Sequence, residues 1–190
     1  MTTVYFIRHA ESDTSVRDGR IRPLTENGLA KRALVTAFLQ NKNIDAVLSS
    51  PFKRAIDTVA DFADGGGFAI DIIEDFREQR SSSDMRRSHP GFDAQLQRQW
   101  MDFAYAFSDG ESMGDVQRRN MAALEDVLAR YRGRNIVIGT HGTALSLIIN
   151  HYDATYGYED FKAMEHKLPW AVRMVFDEAA CLGIEKIDLY

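Results

Sequence analysis

The stretch Val4-Tyr5-Phe6-Ile7-Arg8-His9-Ala10-Glu11-Ser12 decides how this chain reads. Four apolar residues end abruptly in two cationic or nucleophilic ones. A short apolar run bounded this way reads as a buried strand of a sheet covered on both faces. Such a strand delivers Arg8 and His9 to the rim of the sheet.

Two further runs share that form. Ala46 to Leu48 leads into Ser49-Ser50-Pro51-Phe52-Lys53-Arg54, and Ile136 to Ile138 leads into Gly139-Thr140-His141-Gly142-Thr143. A fourth strand is expected over Phe68 to Ile73. Helical patterns lie between them. Thr25-Glu26-Asn27-Gly28 opens a helix expected to carry Leu29, Ala33, Leu34, Ala37 and Phe38 on one side. Ser50-Pro51 reads as an N-cap followed by proline at the first helical position, with a helix to about Asp61. Another helix is expected over Met113 to Arg130, and one after Gly142. The C-terminal stretch from Ala171 to Tyr190 reads as two strands with a turn near Asp177 to Ala180.

Strands alternating with helices predict an α/β fold: a three-layer sandwich, its sheet mostly parallel, with helices on both faces. Residues 77–110 break the rhythm, polar at first and then rich in aromatics (Phe92, Trp100, Phe103, Tyr105, Phe107). They read as an insertion over the C-terminal ends of the strands. Gly65-Gly66-Gly67 and Ser81-Ser82-Ser83 read as loops.

Composition narrows the function. The 190 residues are 45% hydrophobic and 27% charged, with net charge -5 and no basic tail. One domain is expected, with no nucleic-acid partner, since that would need a basic face. The single cysteine, Cys181, excludes an internal disulfide and suits a reducing compartment; it reads as a small buried hydrophobe. No signal peptide and no membrane span are apparent, so a cytoplasmic location and no membrane partner are expected.

Ligands of open α/β sheets bind beyond the C-terminal strand ends, where all three unusual sequences sit. Arg54 falls in the first turn of a helix, where its charge opposes the macrodipole unless an anion is present. The free N–H groups of a helix after Gly142 could hold an anion. Two imidazoles, two guanidiniums and helix N-termini fit phosphate: arginine pairs its oxygens in bidentate fashion, and a neutral imidazole can attack phosphorus. Phosphoryl transfer also needs an acid to protonate the leaving oxygen. Glu74, Asp75 and Glu78 are the candidates, and a carboxylate beside phosphate should have a raised pKa. Position alone does not choose among them. No metal-ligand cluster is visible, and no metal or cofactor is expected. His151 and His166 read as structural or surface residues, and His89 as part of a solvated basic loop.

These residues resemble the histidine phosphatase superfamily, in its phosphoglycerate-mutase-like branch. The matching motifs run in family order: Arg8-His9-Ala10-Glu11-Ser12, Pro23-Leu24-Thr25-Glu26-Asn27-Gly28, Ser49-Ser50-Pro51-Phe52-Lys53-Arg54-Ala55-Ile56-Asp57-Thr58, Gly110-Glu111-Ser112 and Thr140-His141-Gly142. The resemblance implies that His9 is the nucleophile and that Arg8, Arg54 and His141 surround the phosphoryl group. It implies Glu78 as proton donor. Ser12, Ser15, Gly142, Arg86 and Arg87 are its further substrate-binding candidates. Ser15 stands where many members place a phosphate-contacting asparagine, and Ala10 replaces the common glycine. Arg86-Arg87 resembles a basic substrate-binding pair of mutases.

The expected activity is metal-independent hydrolysis of a phosphomonoester through a phosphohistidine on His9, with residues 77–110 setting specificity. A cofactor-dependent phosphoglycerate mutase is the nearest alternative. Mutases are typically longer, with a larger insertion and a C-terminal tail, whereas this chain stops at Tyr190 directly after its last expected strand. A protein that binds phosphorylated ligands without turning them over is the other. The sequence does not fix the oligomeric state.

Overall fold

In the computed structural model, which describes residues 1–82 and 89–190, the run that opens the chain is strand β1 (Thr2–Arg8), buried along nearly its whole length. It is followed by α1 (Glu26–Leu39), β2 (Ala46–Ser49), α2 (Lys53–Gly66) and β3 (Ile70–Ile72). A 3-10 turn over Glu74–Phe76 precedes α3 (Phe92–Met101) and α4 (Met113–Arg130). Then come β4 (Asn135–Thr140), α5 (Gly142–Tyr152), α6 (Tyr158–Met164), β5 (Trp170–Asp177) and β6 (Ala180–Asp188).

The six strands form one sheet in the order β3-β2-β4-β1-β5-β6. The first four are parallel and the last two antiparallel, so the sheet is mixed but mostly parallel. Alternate residues of the central strands point to opposite faces. Tyr5, Ile7, Val47 and Val137 pack with Val35 and Leu39 of α1 and Val59, Phe62 and Ala63 of α2. Val4, Phe6, Leu48, Ile136 and Ile138 pack with residues of α3 to α6 on the other face. That is the three-layer arrangement expected from the sequence.

Local chemistry moved several boundaries. The fourth strand is Ile70–Ile72 rather than Phe68 to Ile73. Gly67, at φ 71°, ends α2, and Phe68 turns back: its N–H donates to Ala63 and its ring stacks on Phe62. Helix α2 starts at Lys53 with Phe52 at its N-cap, so Ser50-Pro51 is not the cap and first turn. The buried stripe of α1 is Gly28, Val35 and Leu39, and Leu29, Ala33 and Ala37 face solvent.

Gly28 explains this rotation of α1. A Cβ there would lie 2.1 Å from the carbonyl oxygen of Glu11, so the helix presses its glycine against the segment after β1. Thr25 caps the same helix by accepting the Gly28 N–H, and its own hydroxyl donates to the Glu11 carboxylate. Asn27 donates to that carboxylate too. Glu11 therefore joins the opening motif to the start of α1.

The turn between β5 and β6 falls where expected. Cys181 is half-buried against the core rather than enclosed. Trp100 of α3 is buried with Leu96, its ring set edge-on to Phe103 and tilted on Phe161 of α6. Among the described residues, no helix is long and apolar enough to cross a membrane.

Candidate active site

Strands β2, β4 and β1 are neighbours and parallel, so their C-terminal ends share one edge. Register aligns them: Arg8 pairs with Thr140, and Ser49 with Gly139. One residue further, the His9 N–H donates to the Thr140 carbonyl and the Ser50 N–H to that of Gly139. Backbone bonding alone thus sets His9, Ser50 and His141 side by side. Gly139 is needed for this, because a Cβ there would meet the Ser49 hydroxyl at 2.8 Å and the Ala55 carbonyl at 3.0 Å.

The His9 and His141 ring centroids are 5.3 Å apart, inclined at 60°. His9 is half-buried, and its Nδ1 lies 2.7 Å from the Ala10 carbonyl. A carbonyl only accepts, so Nδ1 carries the proton and Nε2 keeps its lone pair. Burial, then the charges of Arg54 and Arg8, hold this imidazole well below its ordinary pKa of 6.5. His9 is therefore held in its neutral form near neutral pH.

His141 is fully buried at the N-cap of α5, with Phe52 edge-on at 5.1 Å. Its Nε2 lies 2.6 Å from the Ser50 hydroxyl, which also accepts the Phe52 N–H. Where the Ser50 hydroxyl donates to Nε2, the ring's own proton sits on Nδ1. That nitrogen is buried and has no partner among the described residues. A buried unpaired donor is costly, and an anionic oxygen would satisfy it. Burial first, then Arg54 and the other nearby basic groups, keeps His141 well below its ordinary pKa.

Arg8 and Arg54 are each 5% exposed. Nη1 of Arg8 donates to the carbonyls of Met164 at 2.6 Å and of Glu165 and Lys167 at 3.1 Å, at the end of α6. The rest of the guanidinium lies on Gly142, where a Cβ would approach it to 3.3 Å. The role of Gly142 visible here is to make that room. Arg54 donates to the Gly19 carbonyl at 2.6 Å and lies over the Phe52 ring at 5.0 Å. Burial pushes its pKa down to about 10, Glu78 opposing and Arg22 and Arg8 adding to the shift. A buried arginine that is easier to deprotonate is a cation short of counter-charge. Thr58, four residues on, accepts the Ala10 N–H and donates to the Arg54 carbonyl, tying α2 to the loop that carries His9.

The three candidate acids separate clearly. Glu74 is exposed and paired with Arg20, and Asp75 is exposed and paired with Arg77. Glu78 lies at the N-terminus of α5, where its carboxylate accepts the N–H groups of Thr143 and Ala144 at 3.0 and 3.1 Å. The Gln79 N–H is its third donor. The anion at that helix start is this side chain.

Ser12 is bridged to Leu24, and Ser15 is exposed with its N–H on Asp13. Among the described residues, neither hydrogen-bonds to the histidines or to Arg54. Arg86 and Arg87 lie outside the described residues. His151 and His166 are exposed, as is His89, whose Nδ1 accepts the Gly91 N–H. Sequence reasoning missed Ser50 as the partner of His141, and it missed Arg119, whose guanidinium holds the segment that carries Glu78.

Comparison with known proteins shows the family and the fold. The family described as the histidine phosphatase superfamily (branch 1) matches residues 4–181. An uncharacterised protein of Mycobacterium tuberculosis is 30% identical over 147 residues, 74% of this chain and 73% of its own. A probable phosphoglycerate mutase of Yersinia pestis is 26% identical over 161 residues, 79% of this chain and 74% of its own. The structure of a mycobacterial glucosyl-3-phosphoglycerate phosphatase complexed with VO3 superposes with a TM-score of 0.77 at 18% identity. That match covers 98% of each chain and speaks to the fold.

Proposed function

Since this chain belongs to the histidine phosphatase superfamily, branch 1, we propose that it is a metal-independent phosphatase that hydrolyses a small phosphomonoester through a phosphohistidine on His9. One observation carries the reading. Nδ1 of His9 is committed to the Ala10 carbonyl, which leaves an unprotonated Nε2 beside His141, Arg8 and Arg54.

The side chains divide the work. Nε2 of His9 attacks phosphorus in line, and the bond from phosphorus to the ester oxygen breaks. Glu78 gives its proton to the departing oxygen. Arg8, Arg54 and the Nδ1–H of His141 offset charge on the three equatorial oxygens. Water then attacks the phosphohistidine, Glu78 takes its proton, and the N–P bond breaks to release phosphate. The N–H groups of Thr143 and Ala144 stabilise the Glu78 carboxylate between the two steps. Residues 77–110, which carry both Glu78 and α3, set specificity in this reading, in a cytoplasmic enzyme.

The similarity to a probable phosphoglycerate mutase keeps a second reading: transfer of the phosphoryl group from His9 to a second acceptor instead of water. Rapid acid quench after mixing with a labelled phosphomonoester tests the shared step. The wild type should trap acid-labile phosphohistidine, and His9→Ala should trap none while keeping its fold. A labelled or active His9→Ala variant ends the mechanism. With 3-phosphoglycerate and 2,3-bisphosphoglycerate, inorganic phosphate marks the phosphatase and an isomerised product the mutase.

A further inference from the structure

We propose that Arg119, held by Glu111, is a positioning residue that fixes Glu78 for proton transfer. This inference rests on the reading of Glu78 as proton donor.

The guanidinium of Arg119 in α4 has five N–H donors, and the structure supplies five acceptors. Nε and Nη2 donate to the two oxygens of Glu111, both at 3.0 Å. Nη1 donates to the carbonyls of Asp75 and Arg77, both at 2.7 Å, and Nη2 also donates to the carbonyl of Glu78 at 3.2 Å. The two side chains are only 10% and 13% exposed. Burial pushes the Glu111 carboxyl up, but its Arg119 bonds, the Arg80 N–H and the charges of Arg119 and Arg77 outweigh this and hold it ionised.

Glu111 grips the far side of the same segment. One oxygen accepts the Arg80 N–H at 2.8 Å, and the other accepts Nη2 of Arg77 at 3.3 Å. Its carbonyl accepts the side-chain amides of Gln79 and, from α3, Gln99. Residues 77–80 make no regular secondary structure after the 3-10 turn, so these bonds take the place of a helix or sheet ladder at the backbone that bears Glu78. Planar bidentate pairing is what lysine cannot reproduce.

The test is the dependence on leaving group. An alkyl phosphate such as glycerol phosphate needs its oxygen protonated as it departs, whereas the phenolate of 2,4-dinitrophenyl phosphate leaves unaided. For Arg119→Lys we expect kcat/KM with the alkyl ester to fall about ten- to a hundredfold, and with the dinitrophenyl ester about threefold or less. Glu111→Gln should show the same asymmetry, and carries the test alone if Arg119→Lys does not fold. Equal losses on both esters overturn the positioning role and leave only a structural tie. Glu78→Gln is the control. If it shows the asymmetry and the Arg119 and Glu111 variants do not, the inference fails and the proton-donor reading stands. If Glu78→Gln lacks the asymmetry, the proton-donor reading fails and takes the inference with it.

Discussion

The Ser50 hydroxyl lies 2.6 Å from Nε2 of His141, and both groups are fully buried. The bond crosses from the end of β2 to the end of β4, so the imidazole that faces His9 is oriented by the neighbouring strand. Its consequence is a fixed imidazole, and on the proposed reading a fixed contact for an equatorial phosphoryl oxygen.

Ser50→Ala should therefore damage activity and stability together. It leaves a buried nitrogen unpaired, which costs about 1–3 kcal/mol. It also frees the ring to turn, and misoriented groups lose about tenfold to a hundredfold in rate. Urea unfolding and kcat on the same preparation measure the two. A variant with wild-type kcat would show that His141 keeps its orientation without this bond.

Gly28→Ala should be costly although it adds one methyl group on a helix. The new Cβ would lie 2.1 Å from the Glu11 carbonyl oxygen, which is backbone and cannot rotate aside. Overpacking of this kind costs about 1–3 kcal/mol, against the small gain in helix propensity. A lowered urea midpoint at unchanged slope is expected; an unchanged or raised midpoint contradicts the close approach.

Thr58→Val removes two hydrogen bonds at nearly constant volume. The Ala10 N–H and the Arg54 carbonyl lose their shared partner. We expect destabilisation of about 1–3 kcal/mol and a weaker affinity for orthovanadate, because the backbone beside His9 and that at Arg54 are no longer tied. Vanadate inhibition unchanged from the wild type would rule out that coupling.

Acid should destabilise the protein through its two site histidines. Unfolded, both titrate near the ordinary value of 6.5; folded, both are held well below it. Below that pH the unfolded chain binds more protons than the folded one. Stability is thus full above about pH 6.5 and falls as pH drops toward the folded-state values, by up to about 1.4 kcal/mol per unit per histidine. Unfolding free energies at about pH 7.5 and about pH 5.5 measure the slope. His141→Gln should reduce it, and an unaltered slope in that variant removes His141 as a cause.

The parts legible in the sequence were those with short-range signatures. β1, β2 and β4 are apolar runs ending in reactive residues, and their adjacency follows from the fold class. The losses were long-range. Ser50 before Pro51 looks like a helix cap, yet its oxygen serves a histidine 91 positions away and the helix begins later. Arg119 looks like any solvated arginine of an amphipathic helix, because three of its five acceptors are backbone carbonyls, which no residue type announces. Of the face expected for α1, Phe38 packs against the core while Leu29, Ala33 and Ala37 face solvent, because Gly28 is pressed against Glu11.

Arg8 neighbours His9 in the chain, but its Nη1 group is held by carbonyls at residues 164, 165 and 167. During synthesis His9 therefore leaves the ribosome long before the carbonyls that hold Arg8 beside it exist. A half-made chain carries the imidazole without a fixed guanidinium, so on the proposed reading phosphoryl transfer waits for the segment that follows α6.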